Sequence, residues 1–157
     1  MTASAFLIVD PKVMTILEER GIGIEDAEKT IEHGENTGNV FKNRATGHLL
    51  ASLRASTTTF WVEYCPKPTS YRIFTAYSHR MEILEGFNMP GKTRGEIADW
   101  FCGKCNRALE WTGVKLKYLN ETFAVELPTC PLCRRALVTE KDATEKMALA
   151  EQMLEDK

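Results

Sequence analysis

Apolar and polar positions along the chain change period as the chain advances, and each change marks a new kind of element. In Pro11 to Arg20, Val13, Ile16 and Leu17 fall on one face at helical spacing, and Gly21 and Gly23 end the run. From Ile24 to about Asn36, Ile24, Ala27 and Ile31 repeat at three- and four-residue spacing behind the first-turn acids Glu25 and Asp26, with Gly38 as the stop. The period then falls to two. Strand-type runs occupy Asn39 to Lys42, His48 to Arg54, Thr58 to Tyr64 and Tyr71 to Ser78, broken by Thr46-Gly47 and by Pro66 and Pro68. The third run places Phe60, Val62 and Tyr64 on one face, and the fourth places Tyr71, Ile73 and Tyr77 on one face. Aromatic and β-branched strand faces of this kind read as core rather than as a stacking platform for bases.

Gly86, Pro90, Gly91 and Gly95 interrupt the pattern between Glu85 and Glu96, a composition that predicts a hinge-like linker. Alternation resumes in Val114 to Tyr118 and in Thr122 to Leu127, on either side of Leu119-Asn120-Glu121, which predicts a β-hairpin. In the tail from Asp142 to Lys157, Ala143, Met147, Ala150 and Leu154 recur at helical spacing, with Leu149 and Met153 beside them. This amphipathic helix is too short for an isolated coiled coil, so it either folds back or docks on another chain. The fold class expected is α+β. Its parts are a helical and β-meander domain over 1–85, a linker over 86–99, a zinc ribbon over 100–138 and a C-terminal amphipathic helix over 139–157.

Composition narrows the setting without naming a chemistry. The 157 residues allow one average domain or two small ones, and 43% hydrophobic and 27% charged residues are ordinary for a globular protein. A net charge of −2 gives no overall pull toward nucleic acid. The apolar start Ala5 to Val9 is stopped by Asp10 and lacks a preceding basic residue, so it does not read as a signal peptide, and a cytoplasmic location is expected. No apolar run approaches a membrane span.

In a reducing compartment, paired cysteines point to metal rather than to disulfides. Cys102-Gly103-Lys104-Cys105 and Cys130-Pro131-Leu132-Cys133 form two Cys-x-x-Cys knuckles that bracket the predicted hairpin, the layout of a zinc ribbon. Cys102, Cys105, Cys130 and Cys133 are therefore the expected metal ligands, with Zn2+ favoured and mononuclear Fe the alternative. A rubredoxin-like iron knuckle normally carries Gly after its second cysteine, and here those positions hold Asn106 and Arg134. A closed tetrathiolate zinc site has neither an open coordination position nor redox chemistry, so it reads as structural. The cations Lys104, Arg107, Lys115, Lys117, Arg134 and Arg135 around the knuckles are expected to moderate its negative charge.

Other reactive residues give weaker signals. In the cluster Tyr77-Ser78-His79-Arg80, adjacent strand residues face opposite sides, so Ser78 and His79 cannot easily share a proton, and no catalytic residue is assigned. Cys65 reads as a half-buried thiol at a strand end, and Asn120-Glu121-Thr122 as an exposed turn.

Several segments together resemble a family of small bacterial proteins with two Cys-x-x-Cys pairs, labelled redox proteins. They are Ile31-Glu32-His33, Thr37-Gly38, Thr46-Gly47, Leu49-Leu50-Ala51, Phe60 to Tyr64 and Ala76 to Met81. Val125 to Pro128, Lys146-Met147-Ala148 and Glu151 to Lys157 continue the likeness. The resemblance implies association with anaerobic redox enzymes and carries the two cysteine pairs over as metal ligands. It brings no reaction, substrate or catalytic residue. The resulting expectation is a noncatalytic accessory protein or small subunit that binds a larger protein partner, an enzyme subunit. A rubredoxin-like electron carrier and a nucleic-acid-binding ribbon are the alternatives, the latter disfavoured by the acidic tail. No membrane partner and no small-molecule substrate are indicated.

Overall fold

The computed structural model describes residues 6–95, 97 and 99–156, and its fold class is α+β. Helix α1, Pro11–Glu19, begins with Pro in its first turn, where a missing N–H has no intrahelical partner to lose. Helix α2, Ile24–Thr37, stops at Gly38, whose φ of 75° suits a residue without Cβ and whose N–H bonds the Gly34 carbonyl. Ten strands are present among the described residues. They are β1 (Phe6–Val9), β2 (Val40–Asn43), β3 (Leu49–Ala55), β4 (Thr58–Pro66), β5 (Ser70–His79), β6 (Glu82–Pro90), β7 (Trp100–Cys102), β8 (Arg107–Ala108), β9 (Glu110–Tyr118) and β10 (Glu121–Thr129). A π-helical turn, Asp142–Met147, runs into α3, Ala148–Glu155.

The strands form two sheets. One has seven strands in the order β1-β5-β4-β3-β2-β7-β8, and the other three in the order β10-β9-β6. All pairings are antiparallel except β1 with β5. The short apolar segment before Asp10 is thus an edge strand, a role its four residues do not announce in sequence.

Alternation along the central strands divides the large sheet into two faces. Ala51, Val62, Tyr64 and Ile73 pack with Leu17, Ala27 and Ile31 under the two N-terminal helices. Leu50, Trp61 and Tyr77 turn the other way, into a core shared with Val114, Leu116 and Leu127 of the small sheet and with Ala143 and Met147 of the terminal helix. Tyr77 departs from the expected face. The pairing of β4 with β5 shifts between Glu63 and Tyr64, so that Phe74 is an extra residue in β5. That bulge reverses the side on which later residues project, sending Tyr77 away from Tyr71 and Ile73.

The expected boundary at 86–99 also differs from what is observed. Strand β6 runs through to Pro90 and pairs with β9, with an irregularity between Leu84 and Met89. Strand β7 joins β2 edge to edge through Phe41↔Cys102, Lys42↔Phe101 and Asn43↔Trp100. The first cysteine knuckle is therefore an extension of the N-terminal sheet. Each fully buried large apolar side chain contributes about 1.5–3 kcal/mol, so parting the shared core would cost on the order of a whole domain's stability. A hinge here would have to break both the sheet and the core.

Candidate metal centre

Each knuckle is a tight reversal made by local hydrogen bonding. Cys102 ends β7, and the N–H of Cys105 points back at the Cys102 Sγ at 3.4 Å before the chain turns into β8. In the second knuckle the Arg134 N–H bonds the Cys130 carbonyl at 2.9 Å, and the Cys130 N–H bonds the Arg135 carbonyl at 3.0 Å. Both turns require a left-handed residue after the second cysteine. Asn106 takes φ 53° and Arg134 takes φ 66°. The absence of Gly at these positions therefore leaves the knuckle geometry intact, and it no longer separates zinc from iron.

The two knuckles meet. All four Sγ atoms, of Cys102, Cys105, Cys130 and Cys133, lie within 4.8 Å of one another, and the Cys102 and Cys133 sulfurs are 3.8 Å apart. A tetrahedron of sulfurs about 2.3 Å from a central ion has an edge of about 3.8 Å, whereas a disulfide needs about 2.05 Å. The cluster has the spacing of a metal site, and it can hold an ion. Cys102 and Cys130 are fully buried, while Cys105 and Cys133 are half-buried.

The clustered thiols shift one another's ionisation. Burial opposes ionisation of Cys130, but the N–H groups of Cys133 and Leu132 outweigh it and bring the thiol down to about 7. Burial, with Cys130 and Cys102 as neighbours, pushes Cys133 up to about 12. The opposite shifts show that the clustered sulfurs influence one another's ionisation.

Arg135 brings a positive charge close to the four sulfurs. Its guanidinium sits 5.3 Å over the Phe41 ring and donates from Nη2 to the Asn39 carbonyl at 2.9 Å. Burial lowers its pKa, and all four cysteines act on it in the opposite direction. Its Nη1 is buried without a hydrogen-bond partner, as is the nearby Asn39 Oδ1. An orphaned charged donor beside four thiols fits a centre that carries excess negative charge when metal is bound. Lys104, Arg107, Lys115, Lys117 and Arg134, the other expected cations, are exposed. Nothing in the sequence but its place two residues after Cys133 distinguishes Arg135 from them.

Residues 98–157 match a family described as a domain of unknown function, DUF7479. No curated protein and no solved structure matches the chain. The matched segment covers both knuckles, the hairpin and the terminal helix, which packs against the N-terminal part. Tyr77 Oη donates to the Val138 carbonyl at 2.7 Å, and Glu151 accepts the N–H groups of Arg80 and Met81 at 2.8 and 3.0 Å. The apolar seam expected from Ala143, Met147, Ala150 and Leu154 is spent on this intramolecular contact.

The His79 cluster is also structural. Trp61 Nε1 can only donate and the Met81 carbonyl can only accept, so His79 accepts at Nε2 (2.9 Å) and donates from Nδ1 (2.7 Å). Burial lowers its pKa to about 4, and no ring nitrogen is left to act as a base. Cys65 is half-buried at the end of β4, and Asn120 lies in the β9–β10 turn, both as the sequence predicts. Among the described residues no helix is long and apolar enough to cross a membrane.

Proposed function

We propose that the protein is a noncatalytic accessory module in which Cys102, Cys105, Cys130 and Cys133 hold zinc as a structural clamp. The observation that carries this reading is the convergence of the four sulfurs at tetrahedral spacing on the seam between β7–β8 and the β9–β10 hairpin. Loaded with zinc, such a site supplies folding free energy and fixes the two chain reversals that carry its ligands. Engagement of both His79 nitrogens further supports a noncatalytic role. The partner we propose is a larger protein, and its being a redox enzyme rests on the family resemblance alone. The face offered to it is the outer side of α3, where Leu149 and Met153 are 60% and 62% exposed at i, i+4 spacing.

A mononuclear iron centre is the second reading. It draws support from the half-buried Cys105 and Cys133 sulfurs. Elemental analysis and an absorption spectrum on protein purified from its host without air decide between the two. A colourless protein with one zinc per chain and a stable companion supports the clamp. A coloured protein with one iron, or a zinc-free monomer, overturns it.

A further inference from the structure

The space between the two sheets, beside the second knuckle, forms a cleft of about 680 Å³, within the usual range of small-molecule sites. Trp61 and Val114 form part of its apolar lining, Ile83 adds a wall, and Cys133 reaches its edge. Three arginines, Arg54, Arg134 and Arg135, line it, and no carboxylate does so among the described residues. That is unusual in a chain whose 22 acidic residues outnumber its 20 basic ones. None of the three arginines has an ion-pair partner among the described residues.

The three positive charges are not equally free. Arg135 is committed to the cysteine centre. Arg54 gives both Nη groups to uncharged acceptors, Thr59 Oγ1 and the carbonyls of Thr57, Arg80 and Met81, which hold it in place without neutralising it. Arg134 is exposed and its side chain makes no hydrogen bond among the described residues. If the centre holds a divalent ion, as the clamp reading requires, four thiolates leave it with two negative charges. Three guanidiniums then exceed it by one.

We propose that this cleft binds an organic monoanion, a carboxylate or sulfonate on a compact apolar body, with the anionic group held by Arg134 on the wall shared with Arg54 and the apolar body against Ile83 and Leu84. The single excess charge favours a monoanion over a polyphosphate, and the half-buried apolar side chains Ile83 and Leu84, set among the polar Ser52, Thr59 and Asn88, favour an organic ion over an inorganic one.

The test uses the full chain, loaded with metal, and the fluorescence of anilinonaphthalene sulfonate. Saturable binding of one molecule per chain is expected. The Arg134→Gln variant should bind about tenfold more weakly, the loss of one charge-assisted contact. Arg107→Gln, an equally exposed change on β8, should leave affinity unchanged. Phenylnaphthylamine, the uncharged parent of the probe, should bind much more weakly than the sulfonate. Equal binding of the two probes, equal affinity in Arg134→Gln, or unsaturable binding would each overturn the proposal. Metal content measured on the same preparation tests the centre separately. Zinc-loaded protein that ignores the sulfonate overturns the cleft and leaves the clamp, and metal-free folded protein overturns the clamp.

Discussion

Glu151, on the terminal helix and only 4% exposed, receives the backbone N–H groups of Arg80 and Met81 at 2.8 and 3.0 Å. A buried carboxylate is costly unless donors surround it, and here the donors are two peptide groups left without strand partners as β5 gives way to β6. Arg80 adds its Nε–H at 3.3 Å and an ion pair with Glu155, which in turn accepts the Tyr118 hydroxyl at 2.6 Å. The helix is fastened to the turn by charge as well as by its apolar seam. Glu151→Ala should lower stability by about 1–3 kcal/mol by stranding those N–H groups. The denaturant midpoint reports the loss, and amide exchange at Arg80 and Met81 should quicken beyond that of neighbouring β5 amides.

His79 makes stability depend on pH. Burial holds its folded pKa at about 4, below the unfolded value of 6.5, so the unfolded chain binds the extra proton first as pH falls. The contribution is complete above pH 6.5 and drains away as pH falls toward about 4, by about 3 kcal/mol if the site stays closed. Denaturant midpoints at a series of pH values should show this slope, and His79→Asn should flatten it. An unchanged slope in the variant would mean that other groups carry the dependence.

Gly103 sits where the first knuckle touches β2. Its N–H bonds the Val40 carbonyl at 2.8 Å, and an added Cβ would lie 2.9 Å from that same oxygen and 3.1 Å from Val40 Cγ2. The obstruction at the carbonyl is backbone and cannot swing aside. Gly103→Ala is expected to cost about 1–3 kcal/mol and to weaken metal retention, because moving Gly103 moves Cys102 and Cys105. Competition with a chromophoric chelator checks the second effect, and wild-type retention would show that the knuckle tolerates the shift.

Arg135→Gln removes the half-buried cation and leaves a shorter, uncharged amide in its place. Metal affinity should fall by about 10- to 100-fold, the range typical for groups that support a ligand shell. Arg107→Gln, exposed at the first knuckle, should change it little. Comparable losses in the two variants would indicate a general field effect rather than a specific role for Arg135.

Much of the centre was legible because metal ligation is a local requirement. Two sulfurs two residues apart can face one ion whatever the rest of the chain does, so the knuckles around Cys102 and Cys130 announce themselves. Arg135 did not, because its distinction from Arg134 depends on which way a knuckle packs against Phe41. The cleft was likewise invisible, since Arg54 and Arg134 are brought to it from opposite ends of the sequence.

Sequence period alone determined the two N-terminal helices, the meander, the β9–β10 hairpin and the terminal helix, because burial of one face of an element imposes its spacing directly on the residues. Gly38 as a helix stop belongs with these, since only its own φ is at issue. Tertiary structure decided the rest. The bulge at Phe74 reversed the facing of Tyr77, β1 paired in parallel with β5, and β7 joined β2 across the expected linker. Each depends on which strands meet and in what register. That choice is made by packing and hydrogen bonding between segments far apart in the chain, and no local pattern carries it.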